Sequence, residues 1–127
     1  MKWGTAESAE AKGDQMGLSE KTCAPCEGGV APLGPDRVGE LLRELPGWKV
    51  IEDHGTLSKS FHFVDFAGTM LFVNQLAALA EEEGHHPDFC VHYNRLDIQL
   101  TTHAIGGLSE NDFIMAAKLN ELAFSNK

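Results

Sequence analysis

Between Glu81 and Phe89 the chain reads EEEGHHPDF, three carboxylates followed closely by two adjacent imidazoles and a proline. An apolar run with helical spacing precedes it, so the glutamates fall at a helix C-terminus. That end of a helix carries partial negative charge and favours cations over carboxylates. Imidazole has an unperturbed pKa of about 6.5, so small shifts set it to give or take a proton at neutral pH. Nearby carboxylates and the helix end both favour the protonated ring. The chemistry that these residue types suit is general acid–base transfer.

A second stretch brings another histidine into range. In DFCVHYNRLDIQLTTH, Phe89, Val91 and Tyr93 alternate with polar residues, as do Leu96, Ile98 and Leu100. This is a hairpin pattern. A two-residue loop at Asn94-Arg95 pairs Tyr93 with Leu96, Val91 with Ile98 and Phe89 with Leu100, so the apolar faces coincide. Carried outward, that register sets His103 opposite His86, with Cβ atoms roughly 4.5–5.5 Å apart. His85, His86 and His103 are therefore expected at one end of a sheet, with Glu81 delivered there by the helix. His54 and His62 read as ordinary polar residues, and His92 faces Asp97 as an ordinary cross-strand pair. Glu82 and Glu83 read as surface residues. Asp112, taken alone, reads as a helix cap.

The elements that must position these groups follow from periodicity. Val38, Leu41, Leu42 and Leu45 share one face of a short helix after Asp36, an N-cap candidate, and Pro46-Gly47 stops it. WKVIED and TLSKSFHF read as two strands joined by a His54-Gly55 turn. Asp65 caps the long helix and Gly84 ends it. Phe66, Met70, Val73, Ala77 and Ala80 line one face of that helix. Phe72, Leu76 and Leu79 add a second apolar face, which suits an oligomer contact. SEND, from Ser109, is a capping-box-like start with Asp112 at the third helical position, and Phe113, Ala116, Ala117 and either Leu119 or Asn120 continue the spacing. The expected fold is α+β in two layers, a four-stranded antiparallel sheet with three helices on one face.

Composition narrows the function classes. At 127 residues the chain has the length of one domain, and 43% hydrophobic residues suffice for a core. Residues 1–34 read as a flexible leader and linker, and residues 35–127 as the folded domain. Asp and Glu number 19 against 10 Lys and Arg, a formal charge of −9. Such a balance argues against direct nucleic-acid binding and against anionic membrane surfaces. No apolar run approaches the ~18 residues of a membrane span, and no secretory h-region is legible. The 3 cysteines are an odd count, which suggests a reducing, cytoplasmic setting. A histidine trio could hold zinc, but the side chains of adjacent His85 and His86 tend to diverge. Cys23-x-x-Cys26 has no second cysteine pair and no thioredoxin-like unit after it. No metal and no cofactor are expected.

The spacing of these residues resembles the pterin-4a-carbinolamine dehydratases. That family's signature is an acidic residue, three residues, His-His-Pro, an aromatic, a later His and a later Asp. Here it reads Glu81, EEG, His85-His86-Pro87, then Tyr93, His103 and Asp112. PGW, FHFVDF, YNRLDIQLTTH and GGLSENDF are also similar to the family, over about Pro35 to Phe124. The segment through Gly29 resembles the cysteine-bearing leader of some members. The resemblance implies dehydration of a 4a-hydroxytetrahydropterin to a quinonoid dihydropterin and water, in tetrahydropterin recycling. It implies His85 and His103 as the acid/base pair, with His86 orienting the pterin. Glu81 would tune the cluster, Asp112 would support His103, and Pro87 belongs to the motif. Trp48 matches an aromatic near the family's pocket, although core packing explains a tryptophan there equally well. A homodimer or homotetramer is implied, with a pterin as the small-molecule partner. The competing reading is a scaffold of the same fold used for partner assembly.

Overall fold

A computed structural model of the chain describes residues 17–24, 31–51 and 55–125. Cys26 and His54 lie outside them. The described residues form three α-helices and four strands: α1 (Pro35–Leu42), β1 (Lys49–Ile51), β2 (Thr56–His62), α2 (Phe66–Glu83), β3 (Asp88–His92), β4 (Arg95–Leu100) and α3 (Glu110–Ser125). Two short 3-10 turns, Leu18–Glu20 and His103–Ile105, complete the elements. The sheet is antiparallel in the order β1-β2-β4-β3. The expected α+β arrangement, one four-stranded antiparallel sheet with three helices, is the fold of the chain.

One face of the sheet is apolar because the strands alternate. Leu57, Phe61, Leu96, Ile98 and Leu100 all point inward and are buried. Against them pack Phe72, Val73, Leu76 and Ala80 of α2, Phe113 and Leu119 of α3, and Val38 and Leu41 of α1. Each fully buried large side chain contributes about 1.5–3 kcal/mol. The α2 residues buried in this core are Thr69, Phe72, Val73, Leu76 and Ala80, and Met70 and Leu79 pack against it half-buried. Phe66, Leu71 and Ala77 point outward instead. Of the face expected to line the core, Met70, Val73 and Ala80 do so and Phe66 and Ala77 do not; Phe72, Leu76 and Leu79, expected on a face left for an oligomer contact, face the core because the sheet covers that stripe.

The helix starts follow capping chemistry. Asp65 accepts a hydrogen bond from Gly68 N at 2.9 Å, as expected of an N-cap. α1 begins two residues earlier than an N-cap at Asp36 implied, because Pro35 takes the first helical position with Gly34 as its N-cap. Gly84 ends α2 at φ 68°, which lets both Gly84 N and His85 N return to the Ala80 carbonyl.

The hairpin register differs from the sequence expectation. Val91 faces Leu96 and Phe89 faces Ile98, so the two-residue turn is Tyr93-Asn94 and Arg95 already belongs to β4. Tyr93 accepts a φ of 51° there. Tertiary bonds choose this turn: Phe63 N donates to Asn94 O at 2.8 Å, and Thr69 Oγ1 donates to Tyr93 O at 2.7 Å. The Tyr93 ring also stacks on Phe66, with centroids 6.5 Å apart. Both registers keep the same residues on the inner face, so alternation alone could not separate them. Carried outward, the observed pairing no longer sets His86 opposite His103, and β4 ends at Leu100.

A polar knot closes the far end of the core. Trp48 Nε1 donates to Asn120 Oδ1 at 3.0 Å, and Lys59 Nζ donates to the same oxygen at 2.7 Å and to Pro46 O at 3.1 Å. Gly47 sits beside it at φ 88°, and a Cβ there would lie 2.7 Å from Lys59 Cε. Gly47→Ala should therefore destabilise the domain by about 1–3 kcal/mol, read as a lower urea midpoint at unchanged slope.

Candidate active site

The site begins at the left-handed end of α2. Once Gly84 has turned the chain, His85 is fixed by its backbone bond to Ala80, and its ring can reach α3. His85 Nε2 lies 2.7 Å from Asp112 Oδ1, in the first turn of α3. The Asp112 side chain is fully buried and that of His85 is 12% exposed, so this pair is shielded from water on the carboxylate side only.

Three donors satisfy the buried carboxylate. Besides His85, Thr102 Oγ1 donates to Asp112 Oδ2 at 2.7 Å and Ser109 N donates to it at 3.0 Å. The last bond is the back-reaching half of the capping box read in SEND. Thr102 Oγ1 also lies 2.8 Å from Ser109 Oγ. Thr102 is thereby a member of the site that the sequence reading missed. Only the isolated bridge between Thr102 and Gly107 brings it under the helix start.

The neighbouring imidazoles are placed differently. His86 Nε2 lies 2.6 Å from Glu81 Oε2, one turn back on α2, and both side chains are exposed. His103 opens the 3-10 turn directly after Thr102 and is exposed; among the described residues its ring has no partner. It is joined to His85 through the chain of contacts Thr102, Asp112, His85, and not by strand pairing. Asp112 is bonded to His85 in this arrangement. Pro87 is half-buried where the chain enters β3. Trp48 is 5% exposed, edge-on to Phe61 and bonded to Asn120 of α3; its contacts are with the core. His92 and Asp97 do approach, at 3.5 Å, on the outer face of the sheet, diagonally and not directly opposed. A groove among the described residues runs along Phe61, Phe63, Leu71 and Phe124, and none of His85, His86, His103 or Asp112 lines it.

The family model described as Pterin 4 alpha carbinolamine dehydratase matches residues 31–122. The chain belongs to that family. A Rubrobacter xylanophilus protein named for pterin-4-alpha-carbinolamine dehydratase is 48% identical over 105 residues, 83% of this chain and 97% of its own. One from Stenotrophomonas maltophilia is 48% identical over 109 residues, covering 86% and 94%. Among solved structures, a transcriptional coactivator/pterin dehydratase from Brucella melitensis superposes with a TM-score of 0.70 at 38% identity, over 72% of this chain and 98% of its own. A pterin dehydratase-like protein described as a RuBisCO assembly factor in the alpha-carboxysome gives 0.55 at 31% identity, over 63% and 93%.

The family span contains Glu81, His85, His86, His103 and Asp112 but not the segment before residue 31. Residues 17–24 of that segment nevertheless lie against α3. Leu18 is buried in the core, Lys118 Nζ donates to Ser19 O at 2.9 Å, and Lys21 Nζ lies 2.7 Å from Glu110 Oε2. Cys23 N donates to Glu83 Oε1 at 2.8 Å. The side chain of Glu83, read from sequence as a surface residue, is only 7% exposed. Lys118 Nζ stands 3.6 Å from its other oxygen. Burial and the adjacent Glu83 carboxylate push the Cys23 thiol up from 9.0 to about 12. The fold therefore favours the neutral thiol. That contribution is complete below about pH 9 and is lost as pH rises toward about 12. Iodoacetamide should accordingly label exposed Cys90 well before Cys23 at pH 8.5, and Cys23 appreciably only as the pH climbs toward about 12, read by peptide mass spectrometry.

Proposed function

We propose that the chain dehydrates a 4a-hydroxytetrahydropterin to a quinonoid dihydropterin by imidazole acid–base catalysis. The observation that carries this reading is the 2.7 Å bond from His85 Nε2 to the buried Asp112 carboxylate. A carboxylate at Nε2 holds the proton on that nitrogen and leaves Nδ1 as the acceptor. An imidazole backed in this way is suited to take the N5 proton of the pterin. The exposed His103 is suited to protonate the departing 4a-hydroxyl. The C4a–O bond then breaks, the N5 electron pair forms the C4a–N5 double bond, and water leaves. Charge and protons balance within the substrate and the two rings. His86, exposed beside Glu81, is suited to bind and orient the pterin.

Membership of the family and the names of the relatives support this substrate class. The outward apolar residues of α2, Phe66 and Leu71, support assembly of copies of the chain, which light scattering would size. The assembly-factor and coactivator titles of two solved relatives raise a second reading, a scaffold without turnover. Stopped-flow loss of the carbinolamine absorbance separates the two. The wild type should accelerate it without added metal. His85→Ala and His103→Ala should each lower the rate by about 10²–10⁴-fold with the circular dichroism spectrum unchanged. Full activity in both variants would overturn the site assignment, and oligomers without turnover in the wild type would favour the scaffold.

A further inference from the structure

The His85–Asp112 bond joins the end of α2 to the start of α3, and a second link joins the same two places from outside. Glu83 is the last residue of α2, two before His85, and Asn111 is the residue before Asp112. The backbone of Cys23 and Ala24 spans them. Cys23 N donates to Glu83 Oε1 at 2.8 Å, Ala24 N donates to Asn111 Oδ1 at 2.9 Å, and Asn111 Nδ2 donates to Ala24 O. Cys23 Sγ adds a contact of 3.6 Å to Asn111 O.

These are not incidental surface bonds. Asn111 is 7% exposed, and the Glu83 side chain is 7% exposed. A buried amide or carboxylate costs free energy unless it is bonded, so both groups demand partners, and the leader backbone supplies them. Side-chain amides of this kind fix a segment in one register, because donor and acceptor must both match. The segment is further pinned by Ser19 Oγ donating to Glu121 Oε2 at 2.7 Å and by buried Leu18.

We propose that Glu83 and Asn111 are positioning residues which, through the backbone of Cys23-Ala24, hold the ends of α2 and α3 at the separation that the His85–Asp112 bond requires. The leader segment is then part of the site's scaffold although it lies outside the family span. Its effect on turnover rests on the dehydratase reading; its effect on the His85 bond does not.

The test uses the full chain with Ala24→Pro, which deletes the N–H that Asn111 accepts and restricts the backbone at residues 23 and 24, at an exposed position outside the helices and sheet. Asn111→Ala, Glu83→Ala and Glu83→Gln complete the set. Two readouts need no substrate: iodoacetamide labelling of Cys23 by peptide mass spectrometry, and the ¹⁵N NMR signature of the His85 Nε2–H bond. Ala24→Pro and Asn111→Ala should each raise Cys23 labelling by about 10-fold, the shift expected from losing one or two hydrogen bonds, whereas Glu83→Ala, which also removes the charge beside the thiol, is read by the His85 signature alone. All three should weaken the His85 signature. Glu83→Gln keeps an acceptor for Cys23 N and should preserve the signature. Where the wild type turns over, kcat should fall by about 10-fold in the three disruptive variants, with KM changed less. Released labelling with an unchanged His85 signature would overturn the proposal. So would unchanged labelling in Ala24→Pro and Asn111→Ala. A wild type without turnover would sink the dehydratase reading and leave the two substrate-free readouts to decide this one.

Discussion

A buried carboxylate is the constraint around which this end of the molecule is organised. Asp112 has no exposed side-chain surface, so its oxygens must find donors inside the protein. They find three, from three separate stretches: the imidazole after α2, the hydroxyl after β4 and the amide at the start of α3. Each stretch has to arrive in the right place before the site is stable. The left-handed Gly84, the bridge between Thr102 and Gly107, and the capping geometry at Ser109 are the local means by which they arrive. The geometry of the candidate site and the folding of the helix start are in this sense one problem. A substitution at Asp112 would disturb the cap and the imidazole together.

How far the sequence reveals this depends on the range of the interaction. Local signals were readable: Asp65 as an N-cap, Gly84 as a helix end, SEND as a capping box, and alternation across both strand pairs. The inner faces of the sheet came out correctly for the same reason. The hairpin register did not. A turn at Asn94-Arg95 and one at Tyr93-Asn94 give identical faces, and the choice is made by Phe63 and Thr69, which lie far away in sequence. The pairing of His86 with His103 therefore could not be derived from the hairpin. His103 is tied instead to His85, through the Thr102–Asp112 contact, which no periodicity encodes.

The same distinction explains Glu83 and Trp48. In a run of three glutamates nothing local marks one as buried, yet the leader backbone and Lys118 close over Glu83 and leave Glu82 in solvent. Trp48 had two readings of equal merit, and its indole N–H is committed to Asn120 within the core. α3 also departs from a simple amphipathic pattern. Residues from Asn111 to Ala117 are all buried, because the sheet lies on one side and the 3-10 turn carrying Leu18 packs on another. A helix sandwiched in this way shows little stripe in its sequence.

His85 and His86 are adjacent in the chain but live in different electrostatic media. The carboxylate partner of His85 is fully buried, whereas that of His86 is 78% exposed. At physiological ionic strength, counter-ions screen exposed charges over about 8 Å and reach buried pairs much less. Added salt therefore acts on the His86–Glu81 pair and largely spares His85–Asp112. The two rings form a natural internal pair, one answering to the composition of the surrounding solution and the other to the interior of the protein.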